Sequence, residues 1–152
     1  AYAESVGHPY GPPTAPVGRA LRRGEDALLE IGVRGAFQVK RAVPEAVLIF
    51  LLPPSLSELK RRLVYRGKDS PEKIQKRLEQ AAREIRNAHL FDYVVVNDVL
   101  EEAVADFLAI LTAERRRSGR MGEALEMALR RDLALEAELD EILRRRYGGT
   151  GH

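Results

Sequence analysis

The sequence predicts an α/β protein built around a mostly parallel β-sheet, and two observations indicate this class. Apolar runs of strand length alternate along the chain with segments whose apolar residues recur at helical spacing. The run at 46–52 is continuously apolar, which is typical of a strand covered on both faces, as in parallel sheets. In open sheets of this class, ligands bind beyond the carboxyl ends of the strands. We therefore expect functional residues at Glu30, Pro53–Pro54 and Asn97–Asp98.

The first half of the chain predicts two helices and two strands in alternation. A short helix is expected over 14–23, because Gly24 stands where a C-terminal cap belongs. The apolar run at 27–31 has the length of a buried strand, and helical spacing follows it over 35–43. The continuous run at 46–52 is the second predicted strand.

Two further helices are predicted directly after the second strand. Ser55, with Glu58 three residues later, forms a capping box, which opens a helix that runs to about Arg66. Pro71 suits the first turn of the next helix, which we expect to reach about His89.

The rest of the chain predicts a third strand and two more helices. The strand is expected over 92–96, and an amphipathic helix follows over 100–117. The composition then changes, and 121–146 has the pattern of one long helix. We expect two parts, an α/β domain over 1–117 and a helical extension with a frayed tail over 118–152.

Composition argues against several classes of protein. The chain has 152 residues, with 25 Lys and Arg against 23 Asp and Glu, and the opposite charges are interspersed. A nucleic-acid-binding protein usually carries a one-sided basic excess, so we expect no nucleic acid partner. No apolar stretch approaches the roughly 20 residues that a membrane span needs, so we expect no membrane partner either.

Cysteine content and the first residues bear on location and completeness. The sequence has no cysteine, which excludes disulfides and thiolate zinc sites, and it shows no secretion signal. We therefore expect a cytoplasmic protein. The chain begins at Ala1 rather than at a methionine, and we expect that an upstream part is missing.

Arginines gather in the two predicted helices after the second strand. Arg62 and Arg66 are four residues apart and share one helix face, and Arg77 belongs to the next helix. A guanidinium group keeps its charge and matches phosphate oxygens with several donors, so converging arginines suit a polyphosphate or a transferring phosphoryl group. The alternative is a solvated face of ion pairs, and the pattern alone favours it. The acidic partners would then be Glu58, Asp69 and Glu72.

Glu30, Tyr10 and the histidines are the other candidates for chemistry. Glu30 follows an apolar run, where a nucleotide-binding protein places an acid that holds Mg²⁺ through water. The companion phosphate-binding motif, GxxxxGKS or GxxxxGKT, is absent from the sequence. Tyr10 lies between glycines and prolines, so a rigid loop could present it to a ligand or pack it into a turn. The three histidines lack the spacing of metal ligands, and we expect no direct metal site at His8, His89 or His152.

Taken together and in order, these segments resemble guanylate kinases. The match runs from residue 1 to about residue 117, and its most specific parts are VLIFLLPPS, with the arginine spacing after it, and FDYVVVND. The motifs that carry it are YG at 10–11, APV at 15–17, LLEI at 28–31, VLIFLLPPS at 47–55, LKRRL at 59–63, RG at 66–67, KRL at 76–78, FDYVVVND at 91–98 and AERRR at 113–117. Residues from Ser118 onward match nothing that we can attach to the family.

The resemblance implies a fold and a reaction. The fold would be a partial P-loop nucleoside-monophosphate-kinase sheet with a helical lid over about 55–89 and a C-terminal helical extension. The family transfers the γ-phosphoryl group of ATP to GMP, so ATP, GMP and Mg²⁺ are the implied ligands.

The resemblance also implies a role for each candidate residue. Arg62 and Arg66 would approach the ATP phosphates, and Arg77 would bridge the donor and acceptor phosphates. The remaining correspondences are an acid near Mg²⁺ at Glu30, an asparagine near the nucleotide at Asn97 and a GMP-contacting tyrosine at Tyr10.

Three positions depart from the family pattern. Ala1 stands where a guanine-reading glutamate is expected, Pro12 where a small hydroxyl residue contacts GMP, and Gly32 where a second aspartate follows the Mg²⁺ acid. Loss of a buried hydrogen-bond partner costs about 1–3 kcal/mol, so three losses could remove most of the affinity for GMP. The P-loop with its lysine would lie before Ala1.

Two function hypotheses follow. The first is a guanylate kinase of purine nucleotide metabolism, of which this chain is a truncated portion that we expect to be inactive alone. The alternative is a non-catalytic guanylate-kinase-like module that binds a phosphorylated protein partner, as the three departures would allow. We also expect that the helical region 118–146 could mediate self-association.

Overall fold

The chain divides into two structural units, Ala1–Phe107 and Leu108–His152. The computed structural model describes residues 3–5, 8–10 and 14–148. In chain order the elements are β1 (Ala3–Ser5), β2 (His8–Tyr10), α1 (Thr14–Arg22), α2 (Val33–Ala42), β3 (Ile49–Leu52), α3 (Leu56–Arg66), α4 (Pro71–Arg86), β4 (Tyr93–Val96), α5 (Leu100–Arg115), α6 (Gly122–Leu129) and α7 (Leu133–Tyr147). Short 3₁₀ turns cover Ala88–Leu90 and Ser118–Arg120.

Strands β3 and β4 form a parallel pair, as the continuous apolar runs predict. Their register aligns Ile49 with Tyr93 and Leu52 with Val96. The amide of Asn97 donates to the carbonyl oxygen of Leu52 at 2.7 Å, so the backbone pairing continues one residue past β4. The helices α3 and α4 lie in the connection between these strands, which is the crossover that parallel pairing requires. Strands β1 and β2 pair antiparallel in a separate sheet.

Aromatic rings join helix α2 to the two parallel strands. The Phe91 ring lies 5.4 Å from the ring of Phe37 and 5.2 Å, edge to face, from the ring of Phe50. Beside this cluster, the Asp92 carboxylate accepts hydrogen bonds from the Leu48 amide at 2.7 Å and from Lys40 Nζ at 3.2 Å. Packing and polar contacts therefore fix α2 against the start of both strands. Other buried apolar side chains are Ala36, Leu63, Ile74, Ala88, Val95 and Ala103.

The helices α3 and α4 begin where the sequence predicts, and α3 also ends there, whereas α4 ends at Arg86 rather than at about His89. Ser55 Oγ accepts from the Glu58 amide at 2.9 Å, and Gly67 ends α3 with φ of 66°, a left-handed conformation that favours glycine. Ser70 Oγ accepts from the Lys73 amide at 3.3 Å, and Pro71 is the first residue of α4. These local signals make the turn between the helices short and well defined.

The prediction of a strand at 27–31 is wrong. The structure gives residues 25–32 no regular secondary structure, and 77% of the Leu28 surface is exposed. A strand needs a neighbour to pair with its backbone, and within the described residues β3 and β4 pair only with each other in the parallel sheet. The apolar run is therefore a connection into α2.

The prediction of one long helix over 121–146 is also wrong. Helix α6 ends at Leu129, and α7 begins at Leu133. The break occurs at Asp132, whose carboxylate accepts a hydrogen bond from the Leu135 amide at 3.0 Å and so caps a new helix. A short acidic side chain competes for backbone donors in this way and favours helix starts over helix interiors.

Candidate functional site

Two of the predicted arginines meet at one carboxylate. Arg66 ends α3 and Arg77 lies in the second turn of α4, and both point to Asp69 in the turn between these helices. Arg66 Nη2 donates to Asp69 Oδ2 at 3.2 Å, and Arg77 Nε forms an ion pair with the same oxygen at 3.1 Å. The Asp69 side chain is 9% exposed, whereas the two arginine side chains are 47% and 41% exposed. The two arginines are thus anchored at a mostly buried side chain and remain partly exposed themselves.

The third predicted arginine joins helix α3 to the end of strand β4. Arg62 Nη1 donates to the carbonyl oxygen of Asn97 at 2.8 Å. Its Nη2 lies 3.3 Å from Asp98 Oδ1 and 3.4 Å from the Asp98 carbonyl oxygen. The structure therefore brings Arg62 and Asn97 together at the carboxyl edge of the parallel strands, where ligands bind in sheets of this class.

Glu58 holds Arg62 from the other side. Its carboxylate accepts from Arg62 Nε at 3.0 Å and from Arg61 at 2.8 and 2.6 Å. The pKa of Glu58 is lowered from 4.5 to about 2, and the hydrogen bond from Arg61 is the largest cause. Burial raises the pKa, but the hydrogen bonds and charges of Arg61 and Arg62 together outweigh this effect. Glu58 is therefore ionised across the physiological range and fixes the direction of Arg62.

Of the three acids in the solvated-face alternative, two pair with the arginines, and no ion pair with Glu72 is described. Glu58 and Asp69 pair with the arginines as expected. Each acid, however, binds two arginines at once, and Arg62 also contacts the strand end. Sequence reasoning missed Arg61 as a partner of Glu58, although its spacing of three residues on a helix gives a usable signal.

Glu30 and Tyr10 lie on other segments of the chain than these arginines. Glu30 lies in the irregular segment before α2 rather than at the end of a strand, so the strand-end placement predicted for it is wrong. The backbone of Tyr10 belongs to β2, where it pairs with Ala3. Of the three departures, Gly32 is the N-cap of α2, and Ala1 and Pro12 lie outside the described residues.

The described residues offer few ligands for a magnesium ion. None of them form a group of three or more acids or histidines that could hold a metal ion. Mg²⁺ binds oxygen ligands, keeps several water molecules and takes one or two carboxylates together with substrate phosphates. The exposed carboxylate of Glu30 fits that limited role.

The arrangement is suited to binding phosphoryl groups. Guanidinium groups of Arg62, Arg66 and Arg77 all lie on the α3–α4 pair and already contact oxygen acceptors. Phosphoryl oxygens accept the same hydrogen bonds, and charge that develops on them is stabilised by donors positioned in advance.

Comparisons with known proteins agree on one family. The family model described as "Guanylate kinase" matches residues 1–114. Two curated guanylate kinases of Thermus thermophilus are each 92% identical to this chain over 151 residues, which is 99% of the chain and 69% or 68% of the relative. A guanylate kinase of Deinococcus radiodurans is 52% identical over 115 residues, which is 75% of the chain and 48% of the relative.

A solved structure gives the same result for the fold. The crystal structure of guanylate kinase from Anaplasma phagocytophilum matches with a TM-score of 0.66 and 31% sequence identity. The alignment covers 97% of this chain and 64% of that chain. The chain therefore spans about two thirds of the length of the Thermus and Anaplasma proteins and about half of the Deinococcus protein.

Proposed function

This chain belongs to the guanylate kinase family of nucleoside-monophosphate kinases, which are phosphotransferases, and from that premise we propose that the protein transfers the γ-phosphoryl group of ATP to GMP. ATP and GMP are the proposed substrates, and GDP and ADP the products. The α/β fold with a small parallel sheet is consistent with this assignment. Nothing in the comparisons supports the alternative of a binding module for a phosphorylated protein.

The observation that carries the proposal is the convergence of Arg66 and Arg77 on one oxygen atom. Two guanidinium groups from different helices are held within 3.2 Å of Asp69 Oδ2, and both side chains are partly exposed. We propose that Arg77 bridges the donor and acceptor phosphates and that Arg62 and Arg66 approach the phosphates of ATP. Such groups act by stabilising charge that spreads over phosphoryl oxygens during transfer.

The remaining roles follow from the same proposal. Asn97 would lie near the nucleotide, because it directly follows β4 and its carbonyl oxygen contacts Arg62. Tyr10 would contact GMP. Glu30 would hold Mg²⁺ through bound water, and the ion, when bound, supplies positive charge to the phosphates of ATP.

The domain boundaries and the location are proposals too. We propose a kinase domain over 1–117 with the α3–α4 region, about 55–89, as its lid, followed by an extension over 118–152. In the part of the chain that the structure describes, no helix has the length and apolarity that crossing a bilayer requires. A cytoplasmic location and the absence of nucleic acid and membrane partners remain predictions.

A coupled assay of ADP and GDP formation tests the function. We expect GMP-dependent turnover of ATP by the full-length protein in the presence of Mg²⁺, loss of turnover when Mg²⁺ is omitted, and no turnover by the 152-residue chain alone. Arg77→Lys should lower kcat at least about 100-fold, because an ammonium group does not reproduce the planar donors of arginine. Arg83→Lys, on the exposed side of the same helix, should leave kcat within about twofold.

Two results would contradict the proposal. Full-length protein without GMP-dependent turnover would remove the proposed activity. Wild-type kcat in the Arg77→Lys variant would leave the activity but remove the role of Arg77.

A further inference from the structure

The turn between α3 and α4 fixes the position of Asp69. Gly67 adopts a left-handed conformation at the end of α3, and Ser70 caps the start of α4 through its hydroxyl group. Only Lys68 and Asp69 lie between these two caps. The backbone of Asp69 is therefore held by structure on both sides, and its side chain has little freedom because it is 9% exposed.

Asp69 pairs with two side chains of like charge at once. The guanidinium groups of Arg66 and Arg77 repel each other, yet both lie within 3.2 Å of the same carboxylate oxygen. A shared, mostly buried anion offsets this repulsion more effectively than an exposed one, because water screens it less. The contact described for each arginine uses one donor nitrogen, and a guanidinium group has five N–H donors.

We propose that Asp69 is a positioning residue for the reaction: it holds Arg66 and Arg77 as a pair, so that their other donors reach the phosphoryl oxygens together. Asp69 itself does not touch the substrates. This inference rests on the proposed function, since it assigns the two arginines to the phosphates. It predicts that Asp69 changes the rate of phosphoryl transfer only through these arginines.

The test uses the full-length protein and substitutions at Asp69. Asp69→Asn keeps the size of the side chain and removes its charge, and we expect kcat to fall by about 10- to 100-fold, as for a misplaced catalytic group. The KM for GMP should change by a smaller factor than kcat, because Arg77 would contact the phosphate of GMP but its donors matter most when charge spreads over the phosphoryl oxygens during transfer. Glu79→Gln is the matched control, since this exposed acid on α4 contacts Gln75. It should leave both constants unchanged.

A mutant cycle separates positioning from folding. In the Arg66→Ala/Arg77→Ala background, Asp69→Asn should change kcat by less than about twofold, because residues that act as a unit are not additive. A purely structural role for Asp69 would instead lower the folded fraction, measured by thermal unfolding, in both backgrounds. Asp69→Glu keeps the charge and moves it by one methylene group, so it should fold and show an intermediate kcat even if Asp69→Asn does not fold.

The outcomes distinguish the two proposals. Wild-type kcat in Asp69→Asn, or an equal loss in both arginine backgrounds, would overturn the role of Asp69. Unchanged kcat in Arg77→Lys would instead overturn the role of Arg77 in the proposed function. A loss in Arg77→Lys without a loss in Asp69→Asn or Asp69→Glu would leave the proposed function intact and reject this inference alone.

Discussion

Glu58 is a carboxylate whose stabilising effect depends on pH. Its pKa is about 2 in the folded protein, against 4.5 as the usual value, chiefly because Arg61 donates a hydrogen bond to it. A depressed pKa means that the folded state favours the ionised form, so the stabilisation is fully present above about pH 4.5. It is lost as pH falls toward 2. We expect wild type to have a higher Tm than Glu58→Gln at pH 7 and the difference to shrink between pH 4.5 and pH 3.

The Arg61→Ala background provides the control for this prediction. If Arg61 is the main cause of the shift, Glu58→Gln should lower the Tm at pH 7 less in that background than in wild type. The difference should also decrease in added salt, because Glu58 and Arg61 lie near the surface. A Tm difference that stays constant from pH 7 to pH 3 would contradict the assignment.

Replacing Ser55 or Ser57 by alanine makes the same chemical change at two neighbouring positions at the start of α3. The Ser55 hydroxyl accepts from the Glu58 amide and caps α3, whereas Ser57 lies one residue inside the helix. We expect Ser55→Ala to lower the free energy of unfolding by about 1 kcal/mol. Ser57→Ala should be neutral or slightly stabilising, because alanine has the higher helix propensity. Urea denaturation measures both, and equal effects would show that the cap contributes nothing.

The partners of individual residues were only partly predictable from sequence. The capping role of Ser55 follows from the capping-box spacing between Ser55 and Glu58, so the local sequence is enough to predict it. Arg62 and Asn97 are 35 residues apart, and their contact depends on how the α3–α4 region folds back to β4. Spacing along one helix carries no information about such a contact.

At the scale of elements, prediction succeeded where strong local signals agree. Helices α3 and α4 have caps at their starts, and strands β3 and β4 have continuous apolar runs and pair in parallel. The run at 27–31 has the same apolar character, but a strand also needs a partner, which local sequence does not supply. Likewise, helical periodicity spans Asp132, where a side-chain cap divides the predicted helix in two.

Helix α7 has an uneven charge distribution that suits pairing with a second copy. Its first turn contains Glu136, which pairs with Arg131, and its last turn contains Arg144, Arg145 and Arg146, of which the first two pair with Glu141. In an antiparallel pair, the acidic start of each helix would lie opposite the basic end of the other, and the exposed Leu139 and Ile142 could pack between them. We propose self-association of the whole chain through this helix.

Sedimentation velocity tests this assembly. At about 100 µM we expect a species of twice the 17.0 kDa chain mass. Arg144→Glu/Arg145→Glu should give the monomer, because acidic residues would then face each other. Adding Glu136→Arg/Glu138→Arg should restore the dimer, and Arg83→Glu/Arg86→Glu on α4 is the charge-matched control. A monomer at all concentrations for wild type would contradict the proposal.

For the whole molecule, the family could be identified from sequence and the geometry of its site could not. The motifs from VLIFLLPPS to FDYVVVND pointed to guanylate kinases, and the family model matches residues 1–114. Composition and periodicity alone support only an α/β class. Two arginines share Asp69 in the structure. From sequence alone, an acid near arginines predicts no more than an ordinary surface ion pair.

The crossover between β3 and β4 also bears on the order in which we expect the chain to fold. Leu48 and Asp92, which bond at the start of the two strands, are 44 residues apart, whereas the caps of α3 and α4 join residues three apart. Closing a long loop is entropically costly before its contacts form, so local helices form early and distant strand pairing forms late. We therefore expect the α3–α4 pair to be structured in the folding transition state, so that substitutions there slow folding more than substitutions in β4 do, as stopped-flow refolding would measure.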